Sequence, residues 1–420
     1  MGQEPESVPR QSGTAGQVCW QTFMTQSRMT MRASVEADRA SLFKSENAIK
    51  VCLFVIDAGA GHRATANAIR EYLPEDQDVE LVFANPYKDV LSRGSWFERI
   101  VANHSEAHYN FLLKHSRLPQ FAWRVMSWLP LVFRTIRGKA ISRLFQAFYA
   151  EAKPDLVICV LPFIGIDVIE EAERAGLPNM MVVTDHSETY RNSWIPASGT
   201  HLVAFSERGY HQGKDRAITH VTRISGPVLR RAFFRRSPDH AAALKRRLGL
   251  FPDAKTVLVF YGGNGSPKMI RIAQALEQLS EPLNVIFVCG HNKALKQELA
   301  AVEMGYQKRV FGFVRNIGLL MELSDVMIGK PGPGSAFEAV AKGVRTVLEV
   351  NAGTMPHELD NARMIAEEFD GASFCKEADM LSAIDAAPRR QQHEAGSEPP
   401  FRSDLEFSKV FNKFLDEAKG

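Results

Sequence analysis

The chain has 420 residues, a formal charge of +3, 45% hydrophobic and 24% charged residues, the composition of a soluble globular protein large enough for two cores. The near-balanced charge excludes a general nucleic-acid-coating protein, and no run reaches the ~18 consecutive apolar residues of a membrane span. Five cysteines without a C-x-x-C pair exclude a disulfide scaffold and a thiolate metal cluster, so they read as reduced thiols of a cytoplasmic protein.

Residues 1–47 carry Gln, Ser, Thr and Glu without periodicity and read as a disordered leader. From residue 48, apolar runs of strand length at 50–56, 79–83, 155–160, 180–183 and 201–205 alternate with helical patterns. Continuous apolar strands separated by helices predict a parallel sheet covered on both faces, hence a Rossmann-like domain over 48–227. After Gly226-Pro227 and a basic run at 230–236, the alternation restarts with strands at 256–260, 284–288, 309–311, 325–328 and 345–348, a second such domain over 228–385. A polar tether at 386–402 leads to an amphipathic helix over 403–420, whose Leu405, Phe407, Val410, Phe411 and Phe414 need a surface to cover them. The fold class is therefore α/β, two doubly wound domains facing a cleft, with ligands expected at the carboxyl ends of the strands.

Four segments carry chemistry. The first strand ends in Asp57-Ala-Gly-Ala-Gly-His-Arg63, where Gly59 and Gly61 let the backbone turn tightly toward a ligand. His62 then stands at a helix N-terminus, whose dipole favours a neutral imidazole able to take a proton from a hydroxyl. The alternative is a histidine that only hydrogen-bonds its loop. Asp185, at the end of the fourth strand and on the same rim, is placed to orient His62 or act as base, the alternative being an Asx turn.

In the second half, Tyr261-Gly-Gly-Asn-Gly-Ser266 and Gly329-Lys-Pro-Gly-Pro-Gly-Ser335 each end a strand and open a helix. Neither has Walker or dinucleotide spacing. Two sets of N–H donors at helix starts suit a diphosphate, which makes a nucleotide diphosphate the leading ligand. For the second turn a bland reading stays open, because Ser335 and Glu338 also form a Ser-x-x-Glu capping box.

Between Ala107 and Ala150 there is no acidic residue, while Lys114, Arg117, Arg124, Arg134, Arg137, Lys139 and Arg143 interleave with Phe121, Trp123, Trp128, Phe133, Phe145 and Phe148. That alternation suits an interfacial element on an anionic membrane surface. An ordinary helix with core aromatics and solvated charges is the alternative.

These motifs together resemble the family 28 glycosyltransferases, in particular the branch of monogalactosyldiacylglycerol synthase and the processive diacylglycerol glucosyltransferases, with MurG more distant. The likeness rests on Gly59 to Ile69, Thr184-Asp185 followed by Trp194, Val288 to Lys293, Gly312-Phe-Val314, Lys330 to Ser335 with Glu338, and His357-Glu-Leu-Asp-Asn361. It implies a GT-B fold and inverting, metal-independent transfer of a hexose from a UDP-sugar to a lipid hydroxyl at the cytoplasmic membrane face, without cofactor or nucleic acid.

By the same resemblance, His62 and Asp185 are catalytic, while Phe313 and Val314 meet the uracil and Glu338 the ribose. Gly332, Gly334 and Ser335 with Gly263 and Asn264 hold the diphosphate, and His357, Glu358 and Asn361 the sugar. Gly59, Gly61, Tyr190 and Trp194 lie on the acceptor side. The family has Gln-Glu-x-Gly-Asn where this chain has His357 to Asn361, and histidines where it has Leu161 and Tyr190, which leaves the sugar and the lipid open. A nucleotide-sugar epimerase of the same architecture, or a non-catalytic binding protein, are the other readings.

Overall fold

The computed structural model describes residues 48–56, 61–103, 119–185, 193–235, 241–389 and 398–417, with side chains of the long helix from residue 132 onward. The first six strands are β1 (Ile49–Phe54), β2 (Val79–Ala84), β3 (Leu156–Cys159), β4 (Asn179–Val182), β5 (Ser198–Ala204) and β6 (Ala217–Arg223). With them go helices α1 (Gly61–Glu71), α2 (Pro119–Ala152), α3 (Ile164–Arg174) and α4 (Glu207–Lys214). The second set comprises β7 (Lys255–Phe260), β8 (Leu283–Val288), β9 (Gln307–Phe311), β10 (Val326–Gly329), β11 (Arg345–Glu349) and β12 (Ala372–Phe374). Its helices are α5 (Ala241–Arg247), α6 (Lys268–Leu276), α7 (Lys293–Ala301), α8 (Ile317–Glu322), α9 (Pro333–Ala341), α10 (Pro356–Glu368) and α11 (Glu377–Asp385), and the last helix is α12 (Ser403–Glu417).

Each set forms a six-stranded parallel sheet, ordered β2-β1-β3-β4-β5-β6 and β12-β11-β10-β7-β8-β9. The apolar runs explain this: β3, β4, β8 and β10 are buried along their whole length, as strands covered on both faces must be. The order in which strands are added reverses between β1 and β3 in one sheet and between β7 and β10 in the other, while every strand stays parallel. Crevices open at the carboxyl ends of strands at such switch points. The glycine-rich turns at 261–266 and 329–335 lie at the second of these places, and α1 starts at the first.

One cluster of buried side chains runs from Leu53 of β1 and Val55 just after it through Phe205 and Phe337 to Leu258 and Met327, joining the two sheets. Phe205 and Phe337 meet edge to face at 5.6 Å. Helix α12 packs on the first set of elements, burying Phe407, Phe411, Phe414 and Leu415, with Phe407 edge-on to Tyr72 at 5.4 Å. Leu405, counted above with its apolar face, points to solvent at 50% exposure.

Two expectations need correction. Phe145 and Phe148 are not interfacial but pack against Phe54 in the core, and Arg134 and Arg137 are tied to Asp167, Glu170 and Glu98. What α2 leaves outward at helical spacing is Val132, Ile136, Lys139 and Arg143, beside exposed Trp96, Phe97 and Ile100 from the helical residues 96–103. Lys114 and Arg117 lie outside the described residues. Edge strands β6 and β12 were also not anticipated. Among the described residues no helix is long and apolar enough to cross a membrane.

Candidate active site

The start of α1 and the ends of β3 and β4 converge at the first switch point. His62, the second residue of α1, is held from two sides: its Nδ1 lies 3.1 Å from Thr184 Oγ1, and the Val160 carbonyl accepts a hydrogen bond from the ring. Trp194, buried, covers it at 5.9 Å between ring centres. Burial lowers the imidazole below its ordinary range, Asp185 acts to raise it, and His357 from α10 lowers it further. His62 is therefore neutral at physiological pH, with Asp185 near enough to stabilise the imidazolium once a proton arrives. Gly61 borders the same space, and a Cβ there would meet nothing within 4 Å. Gly59 and Tyr190 lie outside the described residues.

The second switch point supplies the opposite wall. Helix α9 starts at Pro333 with Gly332 as its N-cap and no side-chain cap. Ser335 is thus the third helical residue, not the N-cap, and the capping box with Glu338, the alternative left open above, does not form. Proline at the first helical position, which has no N–H to satisfy, sets this start. The N–H groups of Gly334 and Ser335 consequently have no carbonyl partner within the helix and sit at its positive end. A Cβ on Gly334 would also enter open space.

The turn is braced from behind. The buried Asn361 amide donates to Pro331 O at 3.2 Å, and Lys330 Nζ bonds Glu358 Oε1 at 3.0 Å. Burial raises the Glu358 carboxyl, but Lys330 and His357 outweigh it and hold it below the usual range.

Beside it, β7 is followed by Tyr261, whose hydroxyl donates to Glu349 Oε2 at 2.8 Å while Lys268 Nζ bonds Oε1 at 2.9 Å. The following loop is locked onto the turn after β8, where His291 N donates to Gly263 O at 2.8 Å. A Cβ at Gly290, φ +60°, would fall 2.0 Å from that carbonyl, so only glycine fits. Asn264 is exposed at the loop tip, and Phe313 stacks on His291 at 4.4 Å with an exposed outer face, next to partly buried Val314.

Between the walls lies a cleft with about 350 Å³ of open space, bordered by Gly61, Ala64, Thr65 and Thr184 on one side and Pro333, Gly334 and Glu338 on the other, with Pro227 to Arg230 at its floor. Burial pushes the Glu338 carboxyl up to about 7, with Arg230 acting to lower it. The structure thus brings His62, Asp185 and Trp194 together on one wall, and Gly332, Gly334, Ser335, Glu338, His357, Glu358 and Asn361 on the other. Three contributors had no assigned role: Thr184, whose only signal was its place before Asp185, Arg230, which sat in a basic run, and Lys330 within the glycine-rich turn.

Comparison with known proteins follows the same lines. Residues 256–383 match the glycosyltransferase family 28 C-terminal domain. A probable monogalactosyldiacylglycerol synthase 3 of Oryza sativa subsp. japonica is 28% identical over 338 residues, 76% of this chain and 65% of the relative. Monogalactosyldiacylglycerol synthase 1 of Arabidopsis thaliana is 26% identical over 383 residues, 83% of this chain and 68% of the relative. The chain therefore spans about two thirds of the length of these relatives. Among solved structures, MurG of Acinetobacter baumannii superposes with a TM-score of 0.52 at 15% identity, covering 87% of this chain and 99% of that one. The calicheamicin glycosyltransferase CalG4 gives 0.52 at 14%, covering 89% and 100%. The fold is GT-B.

Proposed function

We propose that the chain, with its family 28 C-terminal domain as premise, is a glycosyltransferase that moves a hexose from a UDP-sugar to the hydroxyl of a diacylglycerol-like lipid, inverting the anomeric centre. The observation that carries this reading is the apposition, across one cleft, of a neutral histidine backed by a carboxylate and an uncapped helix N-terminus followed by Glu338. Similarity to the monogalactosyldiacylglycerol synthases supports the lipid acceptor and the hexose.

In the proposed reaction the donor diphosphate lies on the N–H groups of Gly334 and Ser335, with Gly263 and Asn264 opposite. Phe313 and Val314 border the base, and Glu338 takes the ribose hydroxyls as a bidentate acceptor. His357 and Glu358 face the sugar. Thr184 borders the cleft and contacts His62, so the acceptor hydroxyl gives its proton to Thr184 Oγ1 as the Thr184 proton passes to His62 Nδ1. The acceptor oxygen bonds to the anomeric carbon, the bond to the β-phosphate breaks on the opposite face, and UDP leaves with the electron pair. Asp185 stabilises the imidazolium. Charge grows on the diphosphate in the transition state, so each helix-start donor stabilises that state more than the bound substrate, by about 3 kcal/mol on the scale of oxyanion holes.

The outward stripe of α2 and the neighbouring Trp96, 72% exposed, supports peripheral contact with an anionic leaflet. The test is a matrix of UDP-glucose, UDP-galactose, UDP-glucuronate and UDP-N-acetylglucosamine against diacylglycerol, ceramide and polyprenyl acceptors in anionic vesicles, with radiolabelled lipid as readout. A labelled lipid product is expected. Epimerised nucleotide sugar without lipid product would overturn the reading.

A further inference from the structure

Away from the cleft, three side chains of metal-ligating type converge at the edge of the first sheet. His201 on β5 and His220 on β6 are register partners of adjacent parallel strands, so both project from the same face. Their rings lie 4.7 Å apart with 34° between planes. Glu417, in the last turn of α12, reaches onto them: Oε2 is 3.1 Å from His201 Nε2, and Oε1 is 4.0 Å from His220 Nε2. One ligand atom from each residue lies within 4.8 Å of the other two.

We propose that His201, His220 and Glu417 bind a divalent ion of the zinc class, which fastens the end of α12 to β5 and β6. Two imidazole nitrogens and one carboxylate oxygen form a donor set that zinc takes at about 2.0–2.2 Å, with water in the fourth position. Binding draws these ligand atoms, which lie within 4.8 Å of one another, closer together around the ion.

His201 is 6% exposed and lies against the ring of Phe414 at 4.8 Å. Its Nε2 is the atom aimed at Glu417, while its buried Nδ1 has no hydrogen-bond partner. His220 and Glu417 are partly exposed, which gives the ion a path from solvent. The competing cation is Lys413, whose Nζ lies 3.6 Å from Glu417 Oε1. The ion would act structurally: α12 belongs to neither sheet's own sequence block and is held to the first by apolar packing and by bonds such as Ser403 Oγ to Pro227 O. A metal at its far end fixes the last turn as well.

The test uses the full chain, stripped with a chelator and titrated with zinc against a chromophoric competitor, beside His220→Ala and Glu417→Gln. Both replaced side chains are partly exposed, so the variants keep their fold. One zinc per chain is expected in the parent, with affinity at least tenfold weaker in each variant and a zinc-dependent rise in melting temperature in the parent alone. Absence of zinc binding, or equal affinity in parent and both variants, overturns the proposal and leaves an ordinary histidine-glutamate contact.

Discussion

Glu338 offers the sharpest pH test of the donor site. Burial lifts its carboxyl to about 7 while Arg230 pulls the other way. The form that accepts two ribose hydroxyls is the carboxylate, which the free protein only partly holds at neutral pH. At about pH 6, one unit below the pKa, roughly one molecule in eleven is ionised, against roughly ten in eleven at about pH 8. Donor affinity is therefore expected to rise about tenfold across that interval, or about 1.4 kcal/mol, and then level off.

The sign for stability runs the other way. A carboxyl raised in the folded state holds its proton longer than in the unfolded chain, so the ligand-free protein loses stability as pH rises from the ordinary carboxylate range through about 7. Calorimetric titration with UDP-glucose or UDP-galactose is the assay, since the bridged diphosphate keeps its charge over this range. His62 does not interfere, because burial holds it below its ordinary value. Glu338→Gln keeps the shape, removes the titration, and should bind more weakly by about 1.5–3 kcal/mol with a flat profile. A flat profile in the parent, or the same slope in Glu338→Gln, would refute the reasoning.

Thr184→Val removes the hydroxyl between cleft and His62 at constant volume; kcat should fall about a hundredfold with donor KM unchanged, and Thr184→Ser should restore most of it. Lys139→Ala with Arg143→Ala removes two exposed charges at about 1 kcal/mol each, so partition onto anionic vesicles should weaken about thirtyfold, measured by cosedimentation. Phe411→Ala empties a fully buried site under α12 and should cost about 3–5 kcal/mol by denaturant unfolding.

The sheet-forming runs were legible because a strand buried on both faces is apolar throughout, as 326–329 and 156–159 are. Strand β6 escaped because an edge strand needs no such run: Ala-Ile-Thr-His-Val-Thr-Arg is largely polar and half solvated. Strand β12 is only three residues long. The glycine-rich turns could be located, but the Ser-x-x-Glu pattern left a cap at Ser335 open as an alternative, and Pro333, the residue that sets where α9 begins, decides against it. Thr184 was out of reach: its role depends on the 3.1 Å approach to His62, 122 residues away in sequence. In the stretch around α2 the sequence could not separate Phe145 and Phe148, which are core, from outward residues, because a helix with core on one face and ion pairs on its flank alternates basic and aromatic residues much as an interfacial helix does.

The central claim is that a base on one wall serves a donor on the other. The most direct measurement is steady-state transfer with the best donor and acceptor, comparing His62→Ala and Glu338→Ala with the parent. His62→Ala should lose kcat by about 10²–10⁴-fold with donor KM retained, while Glu338→Ala should chiefly raise donor KM. Near-normal turnover of His62→Ala with both substrates saturating would contradict the account.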